Sequence, residues 1–278
     1  MRVLWRLFFL FILVLVVFGG GAIAAYQLFF KKPVAKEDVG HPAVITPTPD
    51  PGIALLDQAN QLIKKGDTEG GKRILASIFQ SFPNSGKAND ARRQLGAMNL
   101  DQFFSANNPD KVEYTVVRGD SIARIANKTK ASPELIFKAN GLDSLTIQPG
   151  QKFIIPAGQF TLAVSLADKS VTLLNHGAFF KWYPAKDASH LPANFTAGQY
   201  KVLGKEAWSD GHQVAFGAKD YVGSSRWIVI NRDSLTLYSE TNPQTPNVAA
   251  PKIGIELSAE AMDELYSLIA RDTAVTVQ

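Results

Sequence analysis

Cysteine is absent from all 278 residues. That absence excludes disulfides, thiolate metal ligands and every mechanism in which a thiolate attacks a substrate. Histidine is scarce, and His41, His176, His190 and His212 are scattered without metal-ligand spacing, so they read as surface or structural residues and neither a metal nor a cofactor is expected. Basic runs are missing too. Lys and Arg number 29 against 25 Asp and Glu, and the net charge of +4 is spread along the chain, which excludes the clustered basic footprint of a nucleic-acid binder. With 46% hydrophobic and 19% charged residues the chain is globular in composition, and its length suits two or three small domains.

What is present begins with an apolar run. Arg2 and Arg6 precede an almost unbroken hydrophobic stretch from Leu7 to Phe30, long enough for the roughly 20 residues that cross a bilayer. A cleaved signal is the alternative, with Leu7 to Phe18 as apolar core and Ala22-Ile23-Ala24 as the cleavage site. Apolar character continues from Tyr26 to Phe30, which favours a retained anchor over residues 1–30. Lys31 and Lys32 compete with Arg2 and Arg6 for the cytoplasmic side, so flanking charge leaves orientation undecided. Residues 31–52 read as a linker, because "HPAVITPTPDPG" packs four prolines into twelve residues, a composition that extends and does not fold.

Over residues 53–104 apolar side chains recur at helical spacing, with breaks at Gly66-Asp67 and at Phe82-Pro83-Asn84-Ser85, predicting three short helices. The stretch "GDTEGGKRILASIFQSFPNSGKANDARRQL" resembles a tetratricopeptide unit, though too few units are present for a free-standing solenoid. It reads as a helical spacer, with a surface for an envelope protein partner as the alternative.

Residues 112–157 carry the most specific pattern. Tyr114 and Val116 alternate as in a strand, Gly119-Asp120-Ser121 makes a turn and helix start, and Ile122, Ile125 and Ala126 follow at helical spacing. Ser132-Pro133-Glu134 opens a second helix that stops at Asn140-Gly141, and Pro149-Gly150 leads into a strand from Lys152 to Pro156. The spacing of Tyr114, Val116, Gly119, Asp120, Ile125 and Ala126, then Asn140 and Leu142 with Leu135 and Ile136, then Ile147, Gly150, Gln151, Ile155 and Pro156 closely resembles the LysM family. The resemblance implies a βααβ module that binds β-1,4-linked N-acetylhexosamine chains such as peptidoglycan glycan. Carried over by position, the implied glycan-binding residues are Gly119, Asp120, Ser121 and Ile122 in one loop and Gly141, Leu142, Ser144, Leu145 and Ile147 in the other. Asp120 and Asn140 are expected to cap helices, while Ser121, Ile122 and Leu145 are the expected ligand contacts. Glycan lies outside the cytoplasm, so the resemblance also implies an N-in, C-out, single-pass inner-membrane protein with periplasmic or extracytoplasmic domains.

From Phe160 to the end, strand-like runs dominate, followed by one helix from Ala259 to Ile269 and a last strand "AVTV". Residues 160–278 resemble an L,D-transpeptidase catalytic domain through framework positions: Thr196 to Tyr200, Gly223 with Arg226-Trp227, and Asp263, Leu265 and Tyr266. The family's His-Gly pair and S-x-G-C-x-R motif are not matched. By register with the closing helix, Gly254 falls where the cysteine belongs, Glu256 where the arginine belongs, Pro251 in place of the serine, and Tyr238-Ser239 near the His-Gly pair. Acyl transfer needs an activated nucleophile, so no catalytic residue is assigned and the domain reads as a pseudoenzyme.

The expectation is therefore a multidomain α+β protein: transmembrane helix, short helical segment, LysM module and mainly-β L,D-transpeptidase-like domain. Its expected work is non-catalytic attachment to peptidoglycan, tethering or scaffolding at the bacterial cell wall. Ser239, Ser258 and Glu256 stand as substitute groups should an unrecognised catalysis exist, and a scaffold acting through residues 53–104 is the other alternative.

Overall fold

The first described helix begins where the proline-rich stretch ends. Asp50 accepts a hydrogen bond from the Gly52 amide, and Pro51 occupies the first turn of α1 (Pro51–Lys64). A proline there loses nothing, since its missing N–H has no partner in a first turn. The helix thus starts two residues inside the expected 31–52 linker. In this computed structural model the described residues are 49–191, 195–221, 223–231, 235–239 and 253–278. The expected anchor at 1–30, residues 31–48 of the linker, and Pro251 lie outside them. Among the described residues no helix is long and apolar enough to cross a membrane.

Gly66, at φ +89°, turns the chain into α2 (Thr68–Ser81), whose N-cap Asp67 accepts from the Gly70 amide. Positive φ costs a glycine nothing. Pro83 follows the end of α2, and α3 (Ala88–Phe104) packs back so that Ala59, Leu75, Ile78, Ala91 and Leu95 form a small core.

Next comes a two-stranded module: β1 (Lys111–Thr115), α4 (Ile122–Thr129), α5 (Pro133–Ala139) and β2 (Lys152–Pro156). The strands pair antiparallel from Lys111 opposite Pro156 to Thr115 opposite Lys152. Val116, Ile125, Ile136, Phe153 and Ile155 fill its own core.

The C-terminal region holds two five-stranded sheets. The first contains β3 (Phe160–Ser165), β4 (Ser170–Asn175), β5 (Ala178–Pro184), β6 (Gly198–Lys201) and β12 (Ala274–Val277), in the order β5-β4-β3-β12-β6. The chain's last strand therefore sits inside this sheet, parallel to β3 and antiparallel to β6. The second contains β7 (Gly204–Ser209), β8 (His212–Gln213), β9 (Ser225–Asn231), β10 (Leu235–Ser239) and β11 (Ile255–Leu257), in the order β11-β10-β9-β7-β8. Helix α6 (Ala259–Leu268) packs on this sheet, and Leu162, Val171, Ile228, Leu237, Leu265 and Val275 meet in the largest core.

These parts are not beads on a string, for residues 50–278 form one compact unit. The helical segment spends a face on its own chain. Phe79 lies 4.8 Å from Phe179, Phe103 meets Phe160 and Phe180 edge-on at 5.4 and 5.6 Å, and the Asn99 amide donates to the Phe179 and Phe180 carbonyls. Such ring pairs add about 0.5–1.5 kcal/mol each beyond their buried area. Gly96 permits the approach, because a β-carbon there would stand 2.9 Å from Lys181 Cγ and 3.3 Å from its Cα.

The two-helix module is fastened just as firmly. Leu135, on α5, is buried in the C-terminal core, and the Ser132 hydroxyl donates to the Ser267 carbonyl at 2.7 Å. Glu134 accepts from the Tyr221 hydroxyl at 2.5 Å and pairs at 3.5 Å with Lys205. Lys205 is largely buried, donating to the Tyr266 and Ile269 carbonyls and lying 4.4 Å over the Tyr266 ring. Burial lowers its pKa, and the Glu134 charge opposes that shift. Removing one partner of a buried pair strands the other. Glu134→Ala is therefore expected to cost about 3 kcal/mol of unfolding free energy, measured by urea denaturation. A loss below about 0.5 kcal/mol, the range of an exposed pair, would contradict this role.

Candidate functional site

Thr115 at the end of β1 faces Lys152 at the start of β2. The loop after β1 and the loop before β2 therefore emerge at the same end of the small sheet. The Val116 amide donates to the Gln151 carbonyl at 2.9 Å and the Gly150 amide to the Val116 carbonyl at 2.8 Å, which ties the two loops together.

The first loop is built around a carboxylate. Gly119, at φ +89°, reverses the chain, and Asp120 Oδ2 accepts from the Val117 amide at 3.0 Å and the Tyr114 hydroxyl at 2.8 Å. Lys128 donates to Asp120 Oδ1 at 2.8 Å, and the Asp120 side chain is only 2% exposed. The hydrogen bond from Lys128, then that from the Val117 amide, holds the Asp120 pKa down to about 2. Asp120 was expected to cap α4, but its oxygens are consumed by the turn, and Ser121 is the cap, accepting from the Arg124 amide at 3.2 Å. Ile122, expected as a ligand contact, is 2% exposed because it opens the apolar face of α4 toward the module's core. Asp120 and Ile122 thus shape the loop from within.

The second loop leaves α5 through a Schellman motif: the Leu142 amide donates to the Phe137 carbonyl and the Gly141 amide to the Lys138 carbonyl, with Gly141 at φ +55°. Asn140 is the C-cap, and it also bridges to β2, accepting from the Ile154 amide at 2.8 Å and donating to the Ile154 carbonyl at 3.0 Å. Leu142 and Ile147 are half-buried against the module's core. Ser144 is exposed, its hydroxyl accepting from the Thr146 amide. Leu145 is 43% exposed. Across the same end stands Val117, 52% exposed, which the sequence reading passed over. Val117 and Leu145 are thus the large apolar side chains left exposed on these two loops. The signal for Val117 was its place outside the β1 alternation, one residue after the inward Val116.

A second candidate region lies on the outer face of the second sheet. Parallel pairing of β10 with β11 puts Tyr238 opposite Glu256 and Ser239 opposite Leu257. Antiparallel pairing puts Tyr238 opposite Trp227 and Trp227 opposite Glu206. Facing residues share a side, so Glu206, Trp227, Tyr238 and Glu256 form one row. Trp208 joins it, its ring 5.1 Å from Trp227 and its indole N–H donating to Glu206 at 3.1 Å. Burial raises the Tyr238 pKa, and the charges of Glu256 and Asp187 add to the shift. The Glu256 backbone is held by Lys186 and Asp187 through 2.8 Å hydrogen bonds on both sides.

Tyr238, Gly254 and Glu256, three of the positions taken from the register with the closing helix, lie close together in the fold. Gly254 has no room for a side chain: a β-carbon would overlap the Thr236 carbonyl oxygen and stand 3.2 Å from Tyr238 Cε1. Ser239 falls on the opposite side of β10, buried with Leu237, and Ser258 caps α6 by accepting from the Ala261 amide at 3.1 Å. Neither serine hydroxyl is placed on the row. Among the described residues no cluster of three or more His, Asp or Glu suits a metal ion.

Residues 114–156 match the LysM domain family model. YkuD of Bacillus subtilis (strain 168), provisionally named an L,D-transpeptidase, is 24% identical over 170 residues, spanning 59% of this chain and 97% of the relative. The chain thus carries a LysM domain and an L,D-transpeptidase-like region. Among solved structures, an L,D-transpeptidase from Mycobacterium smegmatis is 13% identical with a TM-score of 0.30, over 46% of this chain and 63% of that one. An L,D-transpeptidase from Xylanimonas cellulosilytica is 13% identical with a TM-score of 0.31, over 48% of this chain and 65% of that one. The chain spans less than two thirds of the length of either structure.

The Asp120 pKa sets a pH dependence. A carboxylate held below its ordinary 3.8 stabilises the fold above that pH, and the contribution is lost as pH falls from 3.8 through about 2. The stability difference between wild type and Asp120→Asn is expected to be largest above pH 5 and to shrink toward pH 2, measured by urea denaturation across that range. A difference that does not change with pH would contradict the assignment.

Proposed function

We propose that this protein is a membrane-anchored, non-catalytic peptidoglycan-binding protein. It grips N-acetylhexosamine glycan at the loop end of the LysM domain and tethers or scaffolds at the bacterial cell wall. The observation that carries the reading is the LysM match over residues 114–156, with Val117 and Leu145 exposed on its tied loops. An N-acetyl sugar presents a methyl group and a neutral amide. Exposed valine and leucine meet the first, and the backbone groups of tight loops around Gly119 and Gly141 meet the second, with no charge required. Ser121 and Ser144 stand on the same loops as polar contacts.

The non-catalytic half of the reading rests on chemistry. Thioester formation needs a thiol, and the sequence has none. At Gly254 the Thr236 carbonyl fills the space where a side chain would begin, and the adjacent row of tyrosine, tryptophan and carboxylates holds no activated nucleophile. The anchor at 1–30 and the N-in, C-out placement belong to the same proposal, since a glycan-binding domain works where glycan is.

Two experiments test it. The full chain is expected to pellet with purified sacculi, and Val117→Asp with Leu145→Asp to weaken that binding at least about tenfold, because a charge pressed onto an apolar contact must be desolvated. Unchanged pelleting, with the fold intact by circular dichroism, would move the glycan site elsewhere. Incubation with a carbapenem is expected to leave the intact mass unchanged for wild type and for Gly254→Cys, whose new side chain has no cavity to enter. A covalent adduct on wild type would overturn the non-catalytic reading.

A further inference from the structure

The C-terminal region reaches the second LysM loop through a strap, the turn between β8 and β9. Phe216 on that strap packs against the LysM core beside Leu142 and Ile147, the two half-buried residues of the loop. One turn residue further, Gly217 meets the exposed Leu145: the leucine Cδ1 stands 3.7 Å from where a β-carbon at Gly217 would lie. The loop implied to hold sugar therefore has a neighbour from outside its own domain.

A cleft of about 270 Å³ opens between the two, and Leu145 lines it together with Phe216, Ala218 and Phe137. That volume is close to the small end of ligand sites at ~300 Å³. Phe137 of α5 meets Phe216 edge-on at 6.4 Å, and Phe216 meets Tyr221 at 5.2 Å. Phe137 and Phe216 are only half-buried, so part of each ring still meets water.

The charges turned toward this cleft are answered within the protein. Arg226 faces Asp263 at 3.7 Å and stacks 4.0 Å over Tyr221. Glu134 is taken by Lys205 and Tyr221. Lys138 faces the carboxylates of Glu264, Asp263 and Glu260. A charged ligand has no buried counter-ion to find there, whereas a neutral one with an apolar face can lie on the rings. Asp143 and Asp263 also line the cleft and are exposed, which leaves carboxylate oxygens able to accept from hydroxyl groups.

We propose that the cleft is a further sugar subsite, in which a neutral N-acetylhexosamine of the same chain held by the LysM loops continues past Leu145 onto the strap. Its C–H face lies on Phe137 and Phe216, and its hydroxyls donate to Asp143 and Asp263. The inference rests on the glycan-binding reading of the LysM domain. It adds that the C-terminal region makes the site read chain length, because a short chain fills the LysM loops and only a longer one reaches the strap.

The probes are β-1,4-linked N-acetylglucosamine chains, a trisaccharide and a pentasaccharide, titrated calorimetrically into the full chain. Wild type is expected to prefer the longer chain by about tenfold more than either Phe216→Ser or Ala218→Glu does. The extra registers that a longer chain offers are common to all three proteins and cancel from this comparison. Ala218→Glu is the deciding variant, since Ala218 lines the cleft without packing in the LysM core, and its trisaccharide affinity is expected to equal that of wild type. A preference for the longer chain that Ala218→Glu leaves unchanged would overturn the subsite and leave the glycan reading standing. Failure of folded wild type to bind either chain would overturn both.

Discussion

The placement of the LysM loops against the C-terminal region depends on how one lysine is accommodated inside the protein. Lys205 points from β7 into the seam between the C-terminal region and α5, where two backbone carbonyls and the Tyr266 ring surround it. Carbonyls and a π-face solvate a cation, but they do not neutralise it, and the compensating charge comes from Glu134 of the LysM domain. A cation in low dielectric without its counter-ion is among the costliest defects a fold can carry. The LysM domain is thereby fixed to the C-terminal region by charge, while Leu135 beside Glu134 adds apolar burial in the larger core.

That fixture decides what the loop end of the LysM domain faces. A LysM domain on a flexible tether would offer glycan a surface free on every side. Here α5 is clamped, so the loop that leaves its C-terminus places Leu145 against the Gly217 loop. The same economy governs the helical segment, where Asn99, Phe103 and Gly96 bring α3 onto β5. Its apolar side is largely spent inside the molecule, and what remains outward is mostly polar.

Local order was legible because local physics sets it. The βααβ sequence followed from the Ser132-Pro133-Glu134 start, the Asn140-Gly141 stop and period-two alternation, and the C-terminal strands and last helix followed from turn residues such as Asn175-His176-Gly177. Finer roles were missed where two residue types competed for one task. Asp120 and Ser121 are both good caps, and only the position of Lys128 and Tyr114 shows that the aspartate is taken by the turn. Ile122 stands first on α4, where helical spacing alone does not tell a groove from a core. Pro51 closes the proline-rich composition and also opens α1, since a proline at a helix start is as much a beginning as an end. The pairing of Glu134 with Lys205 joins residues 71 apart, a separation that no local pattern encodes, and the cleft beside it was invisible for the same reason.

The central claim is that the LysM domain and the two sheets form one rigid body through the Glu134–Lys205 contact. Rotational diffusion measured by backbone 15N relaxation tests it most directly. The account predicts one diffusion tensor shared by residues 111–156 and 160–278 in wild type, separating into two in a Glu134→Ala, Leu135→Ala double variant. Two independent tensors in the wild-type protein would contradict it.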